Sequence, residues 1–538
     1  MLLRRLRDPG TSTRRTPAAR ERLASHPMTT ALLDAGVRLL LAELEPPAAT
    51  TADPRHPPAL FFGCLSAARV CAAATRVGPL RVTAAHLRDR WPRQDDVVDD
   101  VLSYSLWFEH HFAGAIAQAA RLPQELPEGA SLDEAVAVLV RSELHTLAEP
   151  VTSRMEVLSC ALAASQPWLR EVQRRNYAVY DAAWDTALSG VLRRCGRRLR
   201  DGVPASDLAR AVGGLGEGVS LRLLAHGERP EEQRAADADF ARGVGALLRS
   251  WTVPVGTGGE GEDDDERAPG PALLAPPPRT HVADVLPRLG DPASGTRTTA
   301  GARRRLAEDR ITAQLLDGAL VVLAEEFGVD AGSVCGPSCA GCWSPAPDAV
   351  PRFFASVSAA RVVAEARRAG HPATDAQLRD RWALQEHYVD DLVGYALAQV
   401  GLLYRTAGTA SGGPSSPEAL ERDEREVHGR LRSPDGSADF RLRLLLTTMA
   451  ARTSIVDDFV EQHRLADTAV LAHAEGVLAA TGRRWADGVV PLDAARTILA
   501  VTHGEIMRVL ATGQDDVRGD QPALARGTTA VMTALLAP

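Results

Sequence analysis

The sequence VTAAHLRDRWPRQDDVVDDVLSYSL, which begins at Val82, is answered by ATDAQLRDRWALQEHYVDDLVGYAL, which begins at Ala373. LRDRW is identical in the two stretches, and Val-Asp-Asp follows each tryptophan at the same distance. A similar pair lies upstream, where FFGCLSAARVCAAA from Phe61 matches FFASVSAARVVAEA from Phe353. Another lies near the end of each copy, where LRLLAHG matches MRVLATG. The chain therefore consists of two copies of one unit.

Apolar residues recur with helical spacing in almost every segment outside the middle of the chain. Leu33, Val37 and Leu41 form one such stripe, and a second runs behind the acidic first turn at Asp207. We find no convincing period of two, which strands would show. Residues 254–302 are rich in Gly, Pro and acids and cannot bury a core, which predicts a flexible linker, with a long ordered loop as the alternative. The sequence thus predicts an all-α fold in two halves.

The composition is that of a soluble globular protein. Of 538 residues, 45% are apolar and 24% are charged, which excludes collagen-like and wholly disordered chains and predicts two to four domains. The net charge of −8 argues against a general basic coat for nucleic acid or anionic membrane, but not against a local basic face. The seven cysteines are scattered, and no run of 18 apolar residues or signal-peptide core occurs. We therefore expect a cytoplasmic protein with no membrane partner.

In each half a long amphipathic helix precedes a short helix containing SAARV, a second short helix ending in LRDRW, and a longer helix that opens with acids. Two short helices joined by a turn are the shape of a helix-turn-helix DNA-binding module. At this point the sequence resembles the tetracycline-repressor (TetR) family of transcriptional regulators. In that family the recognition helix has an LYxxF-type ending, followed by a short polar turn and an acidic fourth helix. The segments Leu87–Asp95 and Leu378–Glu386 occupy that place.

The resemblance implies two tandem TetR-like units, each a helix-turn-helix module followed by a helical regulatory domain. It covers most of the chain. The sequence departs from the family pattern at Gln94 and Gln385, where the family has a lysine. The implied domains are residues 28–106 (first module), 107–253 (first regulatory domain), 308–397 (second module) and 398–538 (second regulatory domain), joined by the linker.

A recognition helix needs polar side chains that reach base edges and cations that meet phosphates. The first copy carries four arginines against Asp89, whereas in the second copy Asp375 and Asp380 offset both arginines. We therefore expect the second module to bind DNA less strongly than the first. The residues expected to contact DNA are Arg81, Thr83, Ala84, His86, Arg88, Arg90 and Arg93 in the first copy and Thr374, Asp375, Gln377, Arg379 and Arg381 in the second.

These features predict a transcriptional regulator of double-stranded DNA, and the family habit favours a repressor. Halves that pack as family subunits do, in an intramolecular pseudo-dimer, would hold two recognition helices about one DNA turn apart, roughly 34–36 Å. Because the two helices differ at most base-contacting positions, we expect an asymmetric operator. Whether two such chains also pair with each other as a homodimer stays open. The alternative is a degenerate TetR-like regulator that has the same fold, does not bind DNA and acts through protein interactions.

Regulatory pockets in this family lie inside the second domain. The first half concentrates aromatic residues there, although the whole chain is only 4% aromatic. They could line a cavity for a small apolar effector that releases the DNA; the alternative is that they are ordinary core. These residues are Trp107, Trp168, Tyr177, Tyr180 and Trp184.

An enzyme is the alternative suggested by the DDxxD pattern that begins at Asp95. All-α prenyl-diphosphate and terpene synthases hold Mg²⁺ and diphosphate with this pattern. The second copy reads EHYVDD instead. All 61 basic residues are arginines, so the chain has no lysine that could bind a diphosphate. Acidic residues are also favoured at a helix N-terminus for electrostatic reasons. We therefore expect no enzymatic activity, with a Mg²⁺-dependent prenyl-diphosphate enzyme as the alternative.

Three cysteines, Cys335, Cys339 and Cys342, have the spacing C-x3-C-x2-C. Three thiolates could hold Zn²⁺ or an iron–sulfur cluster, with His371 as a candidate fourth ligand. The first half has no equivalent cluster, since Cys64 and Cys71 lie on a predicted helix instead. We favour inert loop cysteines over a metal site, and no cofactor is expected.

Overall fold

The computed structural model of the chain is built almost entirely of helices, which confirms the all-α class. Most of the predicted linker lies outside the described residues, as do Cys335, Cys339 and Cys342. The structure describes residues 26–32, 62–91, 93–107, 113–146, 150–163, 166–226, 230–255, 299–316, 352–382, 434–448, 456–513, 517–518 and 521–537, with a few single positions between these ranges.

The helices of the first half run in chain order from the repeated SAARV motif to the end of the first copy. A short 3₁₀ helix, Leu122–Glu125, lies among them. The helices are α1 (Ala67–Val77), α2 (Ala84–Arg88), α3 (Gln94–Ser105), α4 (Ala113–Ala119), α5 (Leu132–Thr146), α6 (Pro150–Leu162), α7 (Pro167–Arg194), α8 (Ala205–Ala225) and α9 (Pro230–Trp251).

The second half repeats this order where it is described. Residues 27–32 and 310–316, ahead of the SAARV motif in each copy, are also helical. A 3₁₀ helix, Arg352–Val357, precedes the second SAARV helix. The remaining helices are α10 (Ala300–Glu308), α11 (Ala359–Arg368), α12 (Asp375–Arg381), α13 (Pro434–Thr448), α14 (Val456–Thr481), α15 (Pro491–Thr512) and α16 (Ala523–Leu535).

Short antiparallel strand pairs tie helix ends together, and the sequence pattern did not predict them. In each half one pair joins the segment after the long helix (α7 or α14) to the segment after the last helix. Strands this short cannot show a period of two, so their sequence carries no strand signal. The pairs are β1 (Arg197–Leu199) with β2 (Thr252–Pro254), β3 (Arg484–Trp485) with β6 (Leu536–Ala537), and β4 (Val517–Arg518) with β5 (Gln521–Pro522).

The two halves pack against each other through α8 and α15, the helices that carry the repeated LRLLAHG and MRVLATG motifs. A Cβ atom on Gly218 would lie less than 3.0 Å from the carbonyl oxygen of Ala500, and one on Gly504 would lie equally close to that of Gly214. The two backbones therefore touch directly at these glycines. The contact is isologous, because positions equivalent in the repeat meet each other from opposite sides.

Helices α9 and α16 complete a bundle of four around this crossing. Arg242 on α9 donates to Asp493 at 2.9 Å, at the start of α15, and Arg526 on α16 donates to Asp207 at 3.1 Å, at the start of α8. Arg210 on α8 adds an ion pair with Glu505 at 2.9 Å. Ion pairs between the halves therefore surround the apolar crossing.

Candidate nucleic-acid interface

The first candidate recognition helix, α2, is held by a capping box and by two buried side chains. The Thr83 side chain accepts a hydrogen bond from the backbone N–H of His86, whose ring Nδ1 accepts from the Thr83 N–H. Leu87 and Trp91 are buried beneath the helix, and the Trp91 indole Nε1 donates to Asp100 Oδ2 at 2.7 Å. Leu87 and Trp91 are therefore core residues.

The second candidate recognition helix, α12, repeats this construction. Thr374 and Gln377 form its capping box. Leu378 and Trp382 are buried, and the Trp382 indole donates to Asp391 Oδ2 at 2.9 Å. The acids of the repeated Val-Asp-Asp sequence thus anchor the indoles that seat the two helices.

The face of each helix opposite these anchors is open to solvent. Most residues predicted to contact DNA lie on it. His86 and Gln377 are half-buried because each also takes part in a capping box. The exposed residues are Arg81, Thr83, Ala84, Arg88 and Arg93 in the first half and Thr374, Asp375 and Arg379 in the second.

The two exposed faces differ in charge. Arg81 and Arg88 have no ion-pair partner among the described residues, whereas Arg379 Nη2 lies 3.9 Å from Asp375 Oδ2, both side chains being exposed. Arg93 lies 3.8 Å from Asp96. The first face therefore offers the larger local positive charge.

Arg90 does not belong to the predicted interface, because the structure places it in the interior. Its side chain is 4% exposed. The guanidinium donates from Nε to Thr312 Oγ1 at 2.8 Å and from Nη1 to the His86 carbonyl at 2.8 Å, and Nη2 pairs with Asp309 Oδ2 at 2.5 Å. Three positions after the buried Leu87, Arg90 lies on the inner side of the turn and cannot reach a DNA surface.

Arg381 needs the same correction. It is 4% exposed, and its Nε donates to Thr29 Oγ1 at 2.8 Å. Its Nη1 donates to the Gln377 carbonyl at 2.9 Å, and Nη2 lies 3.2 Å from His26 Nδ1. Both arginines of the LRDRW motifs that precede tryptophan are therefore internal anchors.

Gln94 and Gln385, where the sequence departs from the family lysine, have a structural role. Gln94 Nε2 donates to the Leu65 carbonyl, and Gln385 Nε2 donates to the Val357 carbonyl at 2.6 Å. Each glutamine thus ties the helix after the recognition helix to the residue just before the SAARV helix.

Most acids in and beside the DDxxD pattern are interior groups rather than an exposed cluster, and only Asp95 is half-buried. Asp96, Asp99 and Asp100 are all buried, and Asp100 accepts the Trp91 indole hydrogen bond. The described residues contain no group of three or more His, Cys, Asp or Glu side chains placed to hold a metal ion.

The aromatic residues predicted to line an effector cavity divide between two separate hydrophobic clusters. Tyr177, with Trp107 and Trp168, belongs to one cluster, and Tyr180 and Trp184 belong to the other. Tyr177 and Trp184 are buried, and the Tyr180 and Trp184 rings pack edge to face at 6.2 Å. The structure therefore does not gather the five residues in one place.

A buried ionic cluster, which sequence reasoning missed, lies on the same face of α7. Arg508 of α15 pairs through Nη1 with Asp181 at 2.7 Å and donates from Nε to Glu217 Oε1 at 3.0 Å. Its guanidinium carbon lies 4.8 Å from the centre of the Tyr177 ring, and the Tyr177 hydroxyl donates to Glu217 at 3.3 Å. An arginine of the second half thus fills an aromatic and acidic cage in the first half.

A second cluster lies at the equivalent place around α14. Arg222 of α8 pairs with Asp467, and His226 Nε2 lies 2.8 Å from His463 Nδ1. His226 Nδ1 is 2.8 Å from Glu232 Oε2. The repeat relates the two clusters: the arginine and the aspartate are the same in both, and the other two positions differ. The equivalent pairs are Arg508 with Arg222, Asp181 with Asp467, Glu217 with His503, and Tyr177 with His463.

Burial raises the pKa of carboxyls at the first cluster and lowers the pKa of the histidines at the second. Desolvation raises the pKa of Glu217 to about 8, against the opposing charge of Arg508, and that of Glu156 to about 7. Burial lowers the pKa of His463 and His503 well below the usual histidine value, and the positive charge of Arg443 adds to the shift. Near neutral pH the histidines are therefore uncharged, and the carboxyls are close to their titration midpoints.

We predict that Glu217→Gln makes the protein less sensitive to alkaline pH. The folded chain binds this proton up to about pH 8, while the unfolded chain releases it near 4.5, so Glu217 contributes stability that falls as pH rises between these values. The stability of Glu217→Gln relative to the unaltered chain should rise by about 1–3 kcal/mol between pH 6 and pH 9. Urea unfolding at both pH values measures this difference.

The exposed Glu461, which pairs with Arg464, supplies the control. Arg464 lowers the pKa of Glu461, so Glu461→Gln should show no change between pH 6 and pH 9. A Glu217→Gln profile parallel to that of the unaltered chain over this range would contradict the raised pKa.

A small crevice between α8, α9 and α15 is a further concave feature near the second cluster. It holds about 10 Å³, room for about one water molecule. Arg222, Glu232, Asp239 and Arg496 contribute its polar lining, and Arg496 pairs with Asp239 at 3.0 Å. Arg222 and Glu232 pair outside the crevice, with Asp467 and His226, so each charged group of the lining has a partner.

Comparison of the chain with family models, with curated proteins and with solved structures gave no match. No described helix is both long enough and apolar enough to cross a membrane.

Proposed function

We propose that the chain is a DNA-binding transcriptional regulator in which two TetR-like units form a single-chain pseudo-dimer on an asymmetric operator. The observation that carries the proposal is the pair of equivalent short helices, α2 and α12. Both are opened by a threonine capping box and seated by a buried tryptophan, and both expose a polar face. Short capped helices with one buried and one polar face suit insertion into a major groove.

The isologous packing of α8 on α15 supports the pseudo-dimeric part of the proposal. A twofold arrangement of two DNA-reading modules matches the geometry of paired half-sites along a duplex. Joining both modules in one chain raises the effective concentration of the second module once the first has bound. Because the exposed faces carry Arg88 in one module and an Arg379–Asp375 pair in the other, the two half-sites should differ.

The regulator is proposed to repress rather than activate, and a small molecule is proposed to release it. Repression is the usual activity of the TetR family, which the repeated motifs resemble. The helical domains that follow the modules are the proposed effector region, and the buried clusters around Arg508 and Arg222 connect that region to the contact between the halves. A ligand that altered either cluster would change how the halves pack.

The deciding experiment is selection of bound duplexes from a random DNA pool by the purified full-length chain. We expect enrichment of a two-part site with unlike arms. Arg88→Ala should weaken binding to that site by about 10-fold or more, and Arg379→Ala by less, because Asp375 already pairs with Arg379. Electrophoretic mobility shifts at fixed salt measure both effects, since phosphate contacts make affinity depend on salt.

Arg464→Ala is the matched control, since Arg464 is an exposed arginine paired with Glu461 on α14, away from both modules. It should leave the affinity unchanged. Enrichment of a palindrome bound equally through both arms would contradict the asymmetric operator. No enrichment at low salt would favour the second candidate function, a protein-interaction regulator, to which the internally paired Arg379 and Asp375 on α12 also point.

A further inference from the structure

The first module is completed by a segment of the second half. Asp309 and Thr312, which precede the second SAARV helix, bind the buried Arg90 of the first LRDRW motif. Two residues further on, Gln314 Nε2 donates to the carbonyls of Ala74 and Leu80, both at 2.8 Å. The helical residues 310–316 therefore contact the end of α1 and the turn that leads into α2.

The second module is completed in the same way by the first half. Arg381 binds Thr29 and His26, and the Tyr388 hydroxyl donates to the Leu32 carbonyl at 2.7 Å. In the repeat MTTALLD from Met28 aligns with ITAQLLD, which places Thr29 and Thr312 at equivalent positions. The exchange is thus reciprocal: each module takes its first helix from the other half of the chain.

These contacts lie directly beneath the candidate DNA-contacting residues. Arg90 links Asp309 and Thr312 to the backbone carbonyl of His86, within the capping box that opens α2. Arg381 links Thr29 to the carbonyl of Gln377, within the capping box of α12. A buried guanidinium that loses its partners leaves unsatisfied donors, so the last turn of the recognition helix depends on them.

We propose that each recognition helix is positioned by the opposite half, with Asp309 and Thr312 as positioning residues for α2 and with Thr29 and His26 for α12. The proposal rests on the proposed DNA-binding function. As a consequence, a substitution at these residues of the second half weakens DNA binding by the first module. A substitution at the equivalent residues of the first half weakens DNA binding by the second module. Binding at one half-site is thereby coupled to the other through the exchanged helices.

The test compares Asp309→Asn and Thr29→Val in the full-length chain. Asparagine keeps the oxygen that accepts from the Ile311 N–H, so Asp309→Asn removes the charge and spares the helix start. Amide hydrogen exchange should become about 10-fold faster in residues 84–91 for Asp309→Asn and unchanged in 375–382. Thr29→Val should show the reverse pattern. Glu308→Gln, next to Asp309 but exposed and paired with Arg304, is the control and should change neither segment.

DNA binding separates this inference from the proposed function. Each variant is also tested on the selected two-part site and on versions with one arm scrambled. Asp309→Asn should weaken binding to the arm that depends on Arg88, and Thr29→Val should weaken binding to the other arm. Faster exchange in the recognition helix of the same half, or in neither, overturns the crossed positioning. A crossed exchange pattern with no selected DNA supports the positioning and overturns the DNA-binding function alone.

Discussion

Gly504→Ala is expected to lower the free energy of unfolding by about 3 kcal/mol, the upper part of the range for an overpacked contact. The new Cβ would meet the Gly214 carbonyl of the other half at less than 3.0 Å. A side chain in the way could rotate aside, but a backbone carbonyl inside a helix moves only if α8 and α15 separate. Urea unfolding followed by circular dichroism measures the loss.

Helix propensity alone predicts the opposite sign, which makes the test decisive. Alanine in a helix interior is favoured over glycine by about 1 kcal/mol. Gly114 on α4 has no atom within 4 Å of an added Cβ, so Gly114→Ala should be neutral or stabilising. Gly218→Ala, the equivalent change on α8, should match Gly504→Ala because its Cβ meets the Ala500 carbonyl. Stabilisation by Gly504→Ala would show that the helices do not cross at this position.

The sequence predicted the helical class and the two copies of one unit, because both follow from local patterns. Periodicity in each copy fixes the helices, and the repeated LRLLAHG and MRVLATG motifs identify α8 and α15. The exchange of first helices could not be predicted in the same way. MTTALLD and ITAQLLD carry the same apolar spacing, so either segment satisfies the local pattern of either module. Only the partners of Arg90 and Arg381 distinguish the two arrangements.

The candidate interface was predictable in outline and less so in detail. Thr83 and Thr374 carry a helix-start signal, and the exposed positions follow from the buried Leu87 and Leu378. The sequence places Arg90 among the DNA-contacting residues because a recognition helix needs cations that meet phosphates. Its spacing from Leu87 and its neighbour Trp91 was the available signal that it turns inward.

The ionic clusters had no sequence signal of comparable strength. Tyr177, Glu217 and Arg508 come from three helices and two halves, and only the packing of the halves brings them together. The repeat aligns Arg508 with Arg222, but sequence similarity gives no reason to expect that either is buried. The paired aspartate is kept in both copies, as Asp181 and Asp467, but histidines replace Tyr177 and Glu217 in the second site.

Arg508→Ala is expected to lower the free energy of unfolding by about 3–5 kcal/mol at neutral pH. The guanidinium is 3% exposed and contacts Asp181, Glu217 and the Tyr177 ring. Removing it leaves a buried cavity and carboxyls without their counter-charge. Arg464→Ala, which breaks the exposed pair with Glu461, should leave the free energy of unfolding nearly unchanged, so denaturant unfolding of the two variants isolates the effect of burial.

The pH dependence of this loss identifies its origin. Arg508 opposes the rise in the pKa of both Glu217 and Glu156, so its removal should raise both values further. The folded variant then holds more protons at pH 8 than the unaltered chain, and its stability should fall more steeply as pH rises. Adding Glu217→Gln to Arg508→Ala should recover part of the loss at pH 9 and little of it at pH 6. A deficit that is independent of pH, and that the second substitution leaves unchanged, would mean that Arg508 contributes packing rather than charge.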